Sequence, residues 1–537
     1  MAEESKGNPP VRAGRYGWYV LIVLTLIYVV NFVDRQIVSI LAPDIKADLH
    51  LDDAQTGFLY GTAFAIFYAL FGIPLGRLAD SWYRGRLIAI GLGMWSAMTA
   101  LSAFAGSFGT LAAARIGVGI GEASASPAAY SMIADHFPKQ KRATALSIYS
   151  SGLYVGAALS LPVGGLVVSR WKAAWPHPAD APLGLAGWQA AFLVVGLPGL
   201  LLALWALTLR EPRRGAADGL SEPVARPGAW RDFGRELAAI LPPLTFVTAA
   251  RGRDLIPNLL ALAVTIAAVA GLILITGGTE GDKAQWAAYG LGAYAVFSWV
   301  QSLRRRDLPA FRLIWGCPVV VMLTAAIGSI AFITYAVAFW TPPYALRTFY
   351  AAPGDPAHIL HGFNAREEVS AIVGWSAAFA AAIGVIAGGV VADWWRRRDP
   401  RGRLFVCMAS VVLPVPAIWV MFTTSDLAAF YLAVPIAQMF SSAWVGASVA
   451  TLQDLVLPRM RATAGATFVL GTTMVGLALG PYAAGKMADV THSLAAGIFW
   501  LFVVPPFTLL GLWLGSRRLA ALEASKAERA RAAGEPD

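Results

Sequence analysis

Gly76-Arg-Leu-Ala-Asp80 closes one long apolar run of this chain, and Gly389-Val-Val-Ala-Asp393 closes another far downstream. A second echo follows in the same order. Arg142-Ala-Thr-Ala145 opens an apolar run, and Arg461-Ala-Thr-Ala464 opens its counterpart at an offset of 319 residues. Under that offset Gly152 falls on Gly471 and Pro162 on Pro481. One matched pentapeptide would carry little weight, but several ordered echoes at equivalent places mark an internal repeat. Each copy holds six apolar runs of about 20 residues, the length an α-helix needs to cross the hydrocarbon of a bilayer. The pattern predicts an all-α membrane protein of two six-helix bundles.

Composition points the same way. The 537 residues are 57% hydrophobic and 14% charged, with a mean hydropathy of +0.60. A soluble domain carries roughly 25% charged residues, so this chain has too few to cover a water-facing surface. Its net charge of +10 is spread over short loops between apolar runs, which fits the positive-inside rule and not a nucleic-acid partner. Cys317 and Cys407 lie inside apolar runs and read as packing residues, not as a disulfide. The basic start, with Arg12 and Arg15, leads into a run too long for a cleaved signal.

Apolar runs near 16–41, 56–79, 87–105, 109–134, 143–168 and 188–209 give an N-terminal bundle over 1–209. Runs near 312–341, 369–392, 403–422, 427–453, 462–485 and 493–515 give a second bundle over 312–516. Every second loop is basic, which places both termini in the cytoplasm and the protein in the inner (plasma) membrane. Residues 210–253 read as a cytoplasmic linker, rich in Arg from Arg210 to Arg253. Within it Trp230, Phe233, Leu237 and Ile240-Leu241 share a helical face, the signature of a helix lying on the membrane surface. Two more apolar runs, 255–276 and 285–303, flank an acidic turn with Glu280 and Asp282 and precede Arg304-Arg305-Arg306. They read as an inserted transmembrane hairpin within 254–311, with a pair of amphipathic cytoplasmic helices as the alternative. The polar, Ala-rich tail 517–537 is expected to be cytoplasmic and loosely ordered.

Two parallel six-helix repeats joined by a long cytoplasmic connection resemble the major facilitator superfamily, over the whole chain except the central insertion. Members usually read Gly-x-x-x-Asp-Arg-x-Gly-Arg where this chain has Gly76 to Arg84, with Ser81 and Tyr83 departing from the pattern. The resemblance implies a cytoplasmic latch of Gly76, Asp80, Arg84 and, in the second half, Asp393. A carboxylate at one helix end can face the positive N-terminus of a helix in the opposite half. Arg84 and Arg86 would pair across the same seam, and a simple loop-ordering Asp80 is the plainer reading. Gly152-x-x-x-Gly156 and Gly476-x-x-x-Gly480-Pro481 fit close helix packing and kinking.

Charges inside the spans carry the functional reading. A centrally placed charge costs about 2.5–3.5 kcal/mol on insertion scales, so several together point to a site. Asp34 and Arg35 sit in Asn31-Phe-Val-Asp34-Arg35 of span one, and Arg115 and Glu122 share a face of span four. Glycines 117, 119 and 121 thin that helix for packing against span one or five. A carboxylate beside Arg115 stays ionised and one drawn away from it takes a proton, so a helix movement that makes or breaks the pair is a proton switch. A buried pair that only fixes packing is the bland alternative. The second half is poorer in central charge and offers Trp340, Tyr344, Trp375, Gln438, Met439 and Trp444. With Asn31 and Ser124, its residues Trp340, Gln438 and Trp444 are candidate lining of a substrate cavity.

Asn31-Phe-Val-Asp34-Arg35, Gly119-Ile-Gly121-Glu122-Ala-Ser124 and the Gly76–Arg84 segment resemble the Spinster family of lipid transporters. The resemblance implies proton coupling through Asp34, Arg115 and Glu122, with Arg35 as a modifier. It also implies an amphipathic lipid substrate such as a lysophospholipid or sphingoid molecule. Bacterial organic-anion symporters carry similar span-one and span-four segments, so a small organic anion remains an open alternative, as does an uncoupled lipid facilitator. The expected partners are a small amphiphile, protons and membrane lipids, around a monomer. No cofactor or metal is expected: there is no phosphate-cradling Gly-Lys-Ser/Thr loop, and His358-x-x-His361 lacks further ligands. An enzyme reading finds no convergent catalytic group.

Overall fold

A computed structural model describes residues 14–214, 223–225, 227–252, 254–350 and 363–535. His358 and His361 lie outside the described residues. In the first half, span one is α1 (Arg15–Asp48) and span two is α2 (Asp53–Tyr60) with α3 (Thr62–Ser81), broken at Gly61. Span three is α4 (Arg84–Ser102), span four is α5 (Phe108–Glu122) with α6 (Ala125–His136), span five is α7 (Lys139–Ala174) and span six is α8 (Gly187–Ala206). The connection holds α9 (Ala229–Ile240), α10 (Leu244–Arg251), the long helices α11 (Leu255–Thr276) and α12 (Glu280–Arg306), and α13 (Leu308–Leu313).

The second half begins with span seven, α14 (Pro318–Phe349), and span eight, α15 (Ala365–Arg396). Span nine is α16 (Gly402–Val412) with α17 (Val415–Thr423), and span ten is α18 (Leu427–Ser442) with α19 (Trp444–Asp454). Span eleven joins α20 (Arg461–Leu470) through a π-turn (Gly471–Leu477) to α21 (Gly480–Thr491). Span twelve is α22 (Leu494–Trp500) with α23 (Pro505–Ala524), and α24 (Lys526–Arg531) follows. Eleven helices among the described residues are long and apolar enough to cross a membrane. Spans three and four and helix α12 fall short of that measure by composition; α12 carries Asp282, Gln285, Ser298 and Ser302, all buried. Helix α11 is its apolar outer partner, with only Asn258 buried, and that amide faces Ser298 and Gln301 of α12.

The repeat is visible in the packing. Gly152 and Gly156 of span five meet Thr25, Val29 and Phe32 of span one. Gly476 and Gly480 of span eleven meet Ala331 and Phe332 of span seven in the same relation. Gly119 and Gly121 instead let span four approach Phe64 of span two and Gly91 and Trp95 of span three, where the sequence suggested span one or five. Burial of the ion pairs described below fixes that rotation of the helix.

The end of the bundle bearing the linker and C-terminus is called proximal here, and the opposite end distal. The hydrogen bonds that cross between the halves gather toward the distal end. Arg347 of span seven donates to the Asp53 carboxylate of span two at 2.7 and 2.8 Å. Asp489 of span eleven accepts from the backbone N–H groups of Asp53 and Ala54, at 3.0 and 2.8 Å. It thus caps the N-terminus of α2 from the other half. Arg366 of span eight pairs with Asp44 and donates to the Ile40 carbonyl at 2.9 Å. Ser39 donates to the Phe339 carbonyl at 2.6 Å.

Spans two and eleven touch nearly backbone to backbone in this region. Pro481 has no N–H, so the Leu477 carbonyl one turn earlier loses its helical donor. Gly61 lies over that oxygen, where a Cβ would come within 2.3 Å of it. Gly57 against Pro481 and Gly485 against Asp53 are equally close. The C-terminal tail departs from expectation: it continues as helix and is tied down. Arg396 pairs with Glu523, Lys526 donates to the Asp454 carbonyl at 2.7 Å, and Glu535 pairs with Arg459. Charged groups on the loops of the second half supply partners that the tail sequence alone does not show.

Gly61→Val should therefore lower the stability of the detergent-solubilised protein by about 1–3 kcal/mol in thermal unfolding. Gly72→Ala, with nothing within 4 Å of the added methyl, should leave it unchanged or slightly raised.

Candidate functional site

The charged residues singled out by sequence converge midway along the first half. Span one carries Asp34 and Arg35 on successive helical positions, which send the two side chains in different directions. Asp34 is fully buried toward span three, where the Thr99 hydroxyl donates to its Oδ2 at 3.3 Å. Arg35 turns toward spans two and four. Its Nη2 donates to Glu122 Oε2 at 2.7 Å, and its guanidinium lies 4.4 Å from the Phe64 ring centre, 4.7 Å from Phe32 and 5.0 Å from Tyr68. Three aromatic faces and one carboxylate replace the water this cation gave up.

Arg115 and Glu122 do share a face of α5, but they do not form the pair suggested by their spacing. Glu122 goes to Arg35. Arg115, 1% exposed, donates only a long 3.5 Å contact to the Asp34 backbone carbonyl and sits 5.7 Å from the Phe64 ring centre. Its Nε and Nη2 have no partner, and neither do Asp34 Oδ1, Glu122 Oε1 or Arg35 Nε. Two carboxylates and two guanidiniums thus balance in formal charge while leaving donors and acceptors unused. Buried polar groups are usually bonded, and five unpartnered atoms gather in this one cluster.

The remaining predicted positions fall in several places. Asn31 is buried one turn before Arg35, on the Glu122 side of span one. Ser124 donates to the Gly121 carbonyl at 2.9 Å and packs against Gly91 of span three. Trp340 is buried and donates to the Pro481 carbonyl at 2.9 Å, which pins span seven to span eleven. Gln438 is half-buried on α18. Trp444 is buried in the core of the second half, beside Cys407 and Phe468. Cys317 and Cys407 are both buried free thiols.

Of the proposed latch residues, Gly76 is half-buried and Asp80 exposed at the proximal end of span two. Arg84 is fully buried within its own half and does not reach across the seam. It donates to Glu211 at 2.6 Å, Asp135 at 2.5 Å, Ser131 at 2.7 Å and the Pro212 carbonyl at 3.0 Å. This joins the start of span three to the ends of spans four and six. The second half repeats the device: Arg403 at the start of span nine holds Asp393 at 2.9 Å and also Asp454 at the end of span ten. Sequence reading passed over the distal ties of Asp44, Asp53, Arg347, Arg366 and Asp489. Their only signal was charge at helix ends, which is also the ordinary place for solvated residues.

Removing one member of the central pair should be costly. Glu122→Leu strands Arg35 without its counter-charge and should cost about 3–5 kcal/mol in thermal unfolding, with Arg35→Met as the other single variant. The double variant Arg35→Met, Glu122→Leu should recover most of that loss. Additive losses in this double-mutant cycle would show that the two residues are not coupled.

Comparison with known proteins supplies the lineage. The sequence profile of the Major Facilitator Superfamily matches residues 24–481. An MFS-type efflux pump of Mycolicibacterium smegmatis is 27% identical over 511 residues, 94% of each chain. Protein spinster homolog 1 of Xenopus tropicalis is 25% identical over 482 residues, covering 88% of this chain and 73% of the relative. A crystal structure of a bacterial homologue of the human lysosomal transporter Spinster, inward-facing and unoccupied, aligns with a TM-score of 0.64 at 25% identity over 97% of both chains. The relatives are transporters and not enzymes, and the Spinster resemblance read from spans one and four holds along most of the chain. This multi-pass membrane protein belongs to the Major Facilitator Superfamily of transporters.

Proposed function

We propose that the protein is a proton-coupled secondary transporter of amphipathic lipids, of the lysophospholipid or sphingoid kind, working by alternating access. The observation that carries this reading is the buried set of Asp34, Arg35, Arg115 and Glu122 with its unused donors and acceptors. Arg115 is a desolvated cation with free N–H groups, suited to an anionic head group. When such a group engages Arg115, Asp34 loses the nearest cation and is left to take up a proton. Substrate on Arg115 and proton on Asp34 then bias one another through a single electrostatic unit, which is the requirement for coupling.

The basic residues favour a cytoplasmic proximal face. Arg77, Arg84, Arg86, Arg210, the Arg304–Arg306 run, Arg396–Arg398, Arg401, Arg403 and Arg459 all sit at that end. On this orientation both termini are cytoplasmic, the membrane is the inner (plasma) membrane, and the distal ties close the outer side. The inward-facing state of the bacterial Spinster homologue is consistent with that arrangement. Asp80 and Asp393 would act when the cytoplasmic side closes in turn. A monomer suffices, since the cluster lies wholly within one half.

A second reading rests on Arg115 itself. A guanidinium with two unpartnered nitrogens would equally suit the carboxylate of a small organic anion. Flux into proteoliposomes under an imposed pH gradient separates the two, with labelled lysophospholipid, a sphingoid amphiphile and a small sugar acid run in parallel. Proton-driven movement of the amphiphiles is expected, lost in Asp34→Asn and Glu122→Gln variants that remain folded. Unchanged coupling in both variants would remove the proton role, and movement of the sugar acid alone would favour the organic-anion reading.

A further inference from the structure

The inserted helix α12 crosses the seam between the halves at the place where spans two and eleven touch. At its distal end Asp282, fully buried, accepts from the Tyr482 hydroxyl at 2.7 Å and from Lys486 Nζ at 2.8 Å, both on span eleven. One turn on, Gln285 is also fully buried. The Thr62 hydroxyl of span two lies 2.5 Å from both Gln285 Oε1 and the Ala478 carbonyl of span eleven. That hydroxyl has one proton for two acceptors. The Gln285 amide supplies the other donor, with Nε2 3.3 Å from the Ala478 oxygen. One residue from each half and one from the insertion thus meet in a single knot. Gly281 packs on Gln55 of span two, and Gly292 fits between Ile66 of span two and Met474 of span eleven.

The two sides of this contact differ in kind. Toward the second half the insertion is held by buried charge at Asp282, and by Asp307, whose carboxylate accepts from Arg459 at 2.7 and 3.2 Å at the proximal end. The Arg459 guanidinium keeps the Asp307 carboxyl below its ordinary range. Breaking the Asp282 pair would strand a charge away from water. Toward the first half α12 packs along both segments of span two, with Gly281 on Gln55, Gly292 on Ile66 and the neutral Thr62 contact, a broad face without buried charge that can part and re-form. At the proximal end Arg306 binds Glu236 of α9, and α9 rests on span two through Trp230 against Trp82.

We propose that the α11–α12 hairpin is a clamp on the distal gate. It travels with the second half, and its Gln285–Thr62 contact with the first half must release each time the distal side opens. Gln285 and Thr62 are therefore positioning residues that set the balance between the two access states. The proposal rests on the alternating-access reading but not on the substrate or on protons.

Spin-label distances on the full-length chain in nanodiscs test it, in a Cys317→Ser, Cys407→Ser background. The pair His50→Cys with Ser425→Cys spans the distal gate, Glu280→Cys with Val490→Cys joins the hairpin to the second half, and Glu280→Cys with His50→Cys joins it to the first. Arg347→Ala removes a distal tie and serves to populate the opened state. The clamp predicts that the gate distance lengthens, the hairpin–second-half distance holds, and the hairpin–first-half distance lengthens with the gate. A hairpin that stays with His50, or that separates from both halves, overturns the clamp while leaving alternating access intact. A gate distance that never changes overturns alternating access and the clamp together. Thr62→Val should raise the opened fraction about fivefold, the worth of one buried hydrogen bond, and Thr62→Ser should restore it. An opened fraction unmoved by Thr62→Val counts against the clamp.

Discussion

Arg35 and Glu122 lie 2.7 Å apart in a part of the molecule where neither charge is tolerable alone. Desolvating an ion is so costly that the position of each is set by the other. The pair locks the rotation of span one against span four. It brings Phe32, Phe64 and Tyr68 around the guanidinium and leaves Arg115 on the other side, facing the Asp34 backbone. The glycine face of α5 then has to point toward spans two and three, where Phe64, Gly91 and Trp95 fill the space. One ion pair thus fixes the packing of the first half and the identity of the cation that remains unused.

The two halves solve the same packing problem in parallel. Paired glycines bring span five onto span one and span eleven onto span seven. Buried or partly buried arginines gather the proximal helix ends of each half, through Asp135 and Glu211 in one and Asp454 and Glu523 in the other. Each bundle is made rigid by contacts within itself. Rigid bundles joined at a seam move as bodies, which is the mechanical condition for exposing a site to one side at a time.

The seam itself is built differently. Its distal part combines near backbone contact at Gly57, Gly61 and Gly485 with ionic and capping contacts around Asp53, and with the inserted helix laid across it. Close backbone approach gives dispersion without long side chains to reorder, while short-range ties are lost within a small separation. Such a surface is well suited to complete closure and equally complete release.

The repeat, the all-helical membrane fold and the charges within spans were legible in the sequence because each is one-dimensional. Apolar run length, the ordered echoes at Arg142 and Arg461, and the rarity of charge in a span are properties of the string. Sequence also indicated that Asp34, Arg35, Arg115 and Glu122 form one set. Which of them pair was beyond it. The spacing of Arg115 and Glu122 put them on one face, but the choice of Arg35 as partner depends on how α1 and α5 are rotated together. Arg84 appeared to point across the seam because a motif gives a helix end and not a direction. Trp340 and Trp444 were indistinguishable from cavity-lining aromatics until their neighbours Pro481, Cys407 and Phe468 were in place. Composition and periodicity determined that this chain spans a membrane as two related bundles. Only the tertiary structure decided which charges neutralise each other, because burial makes that choice through the geometry of helices distant in sequence.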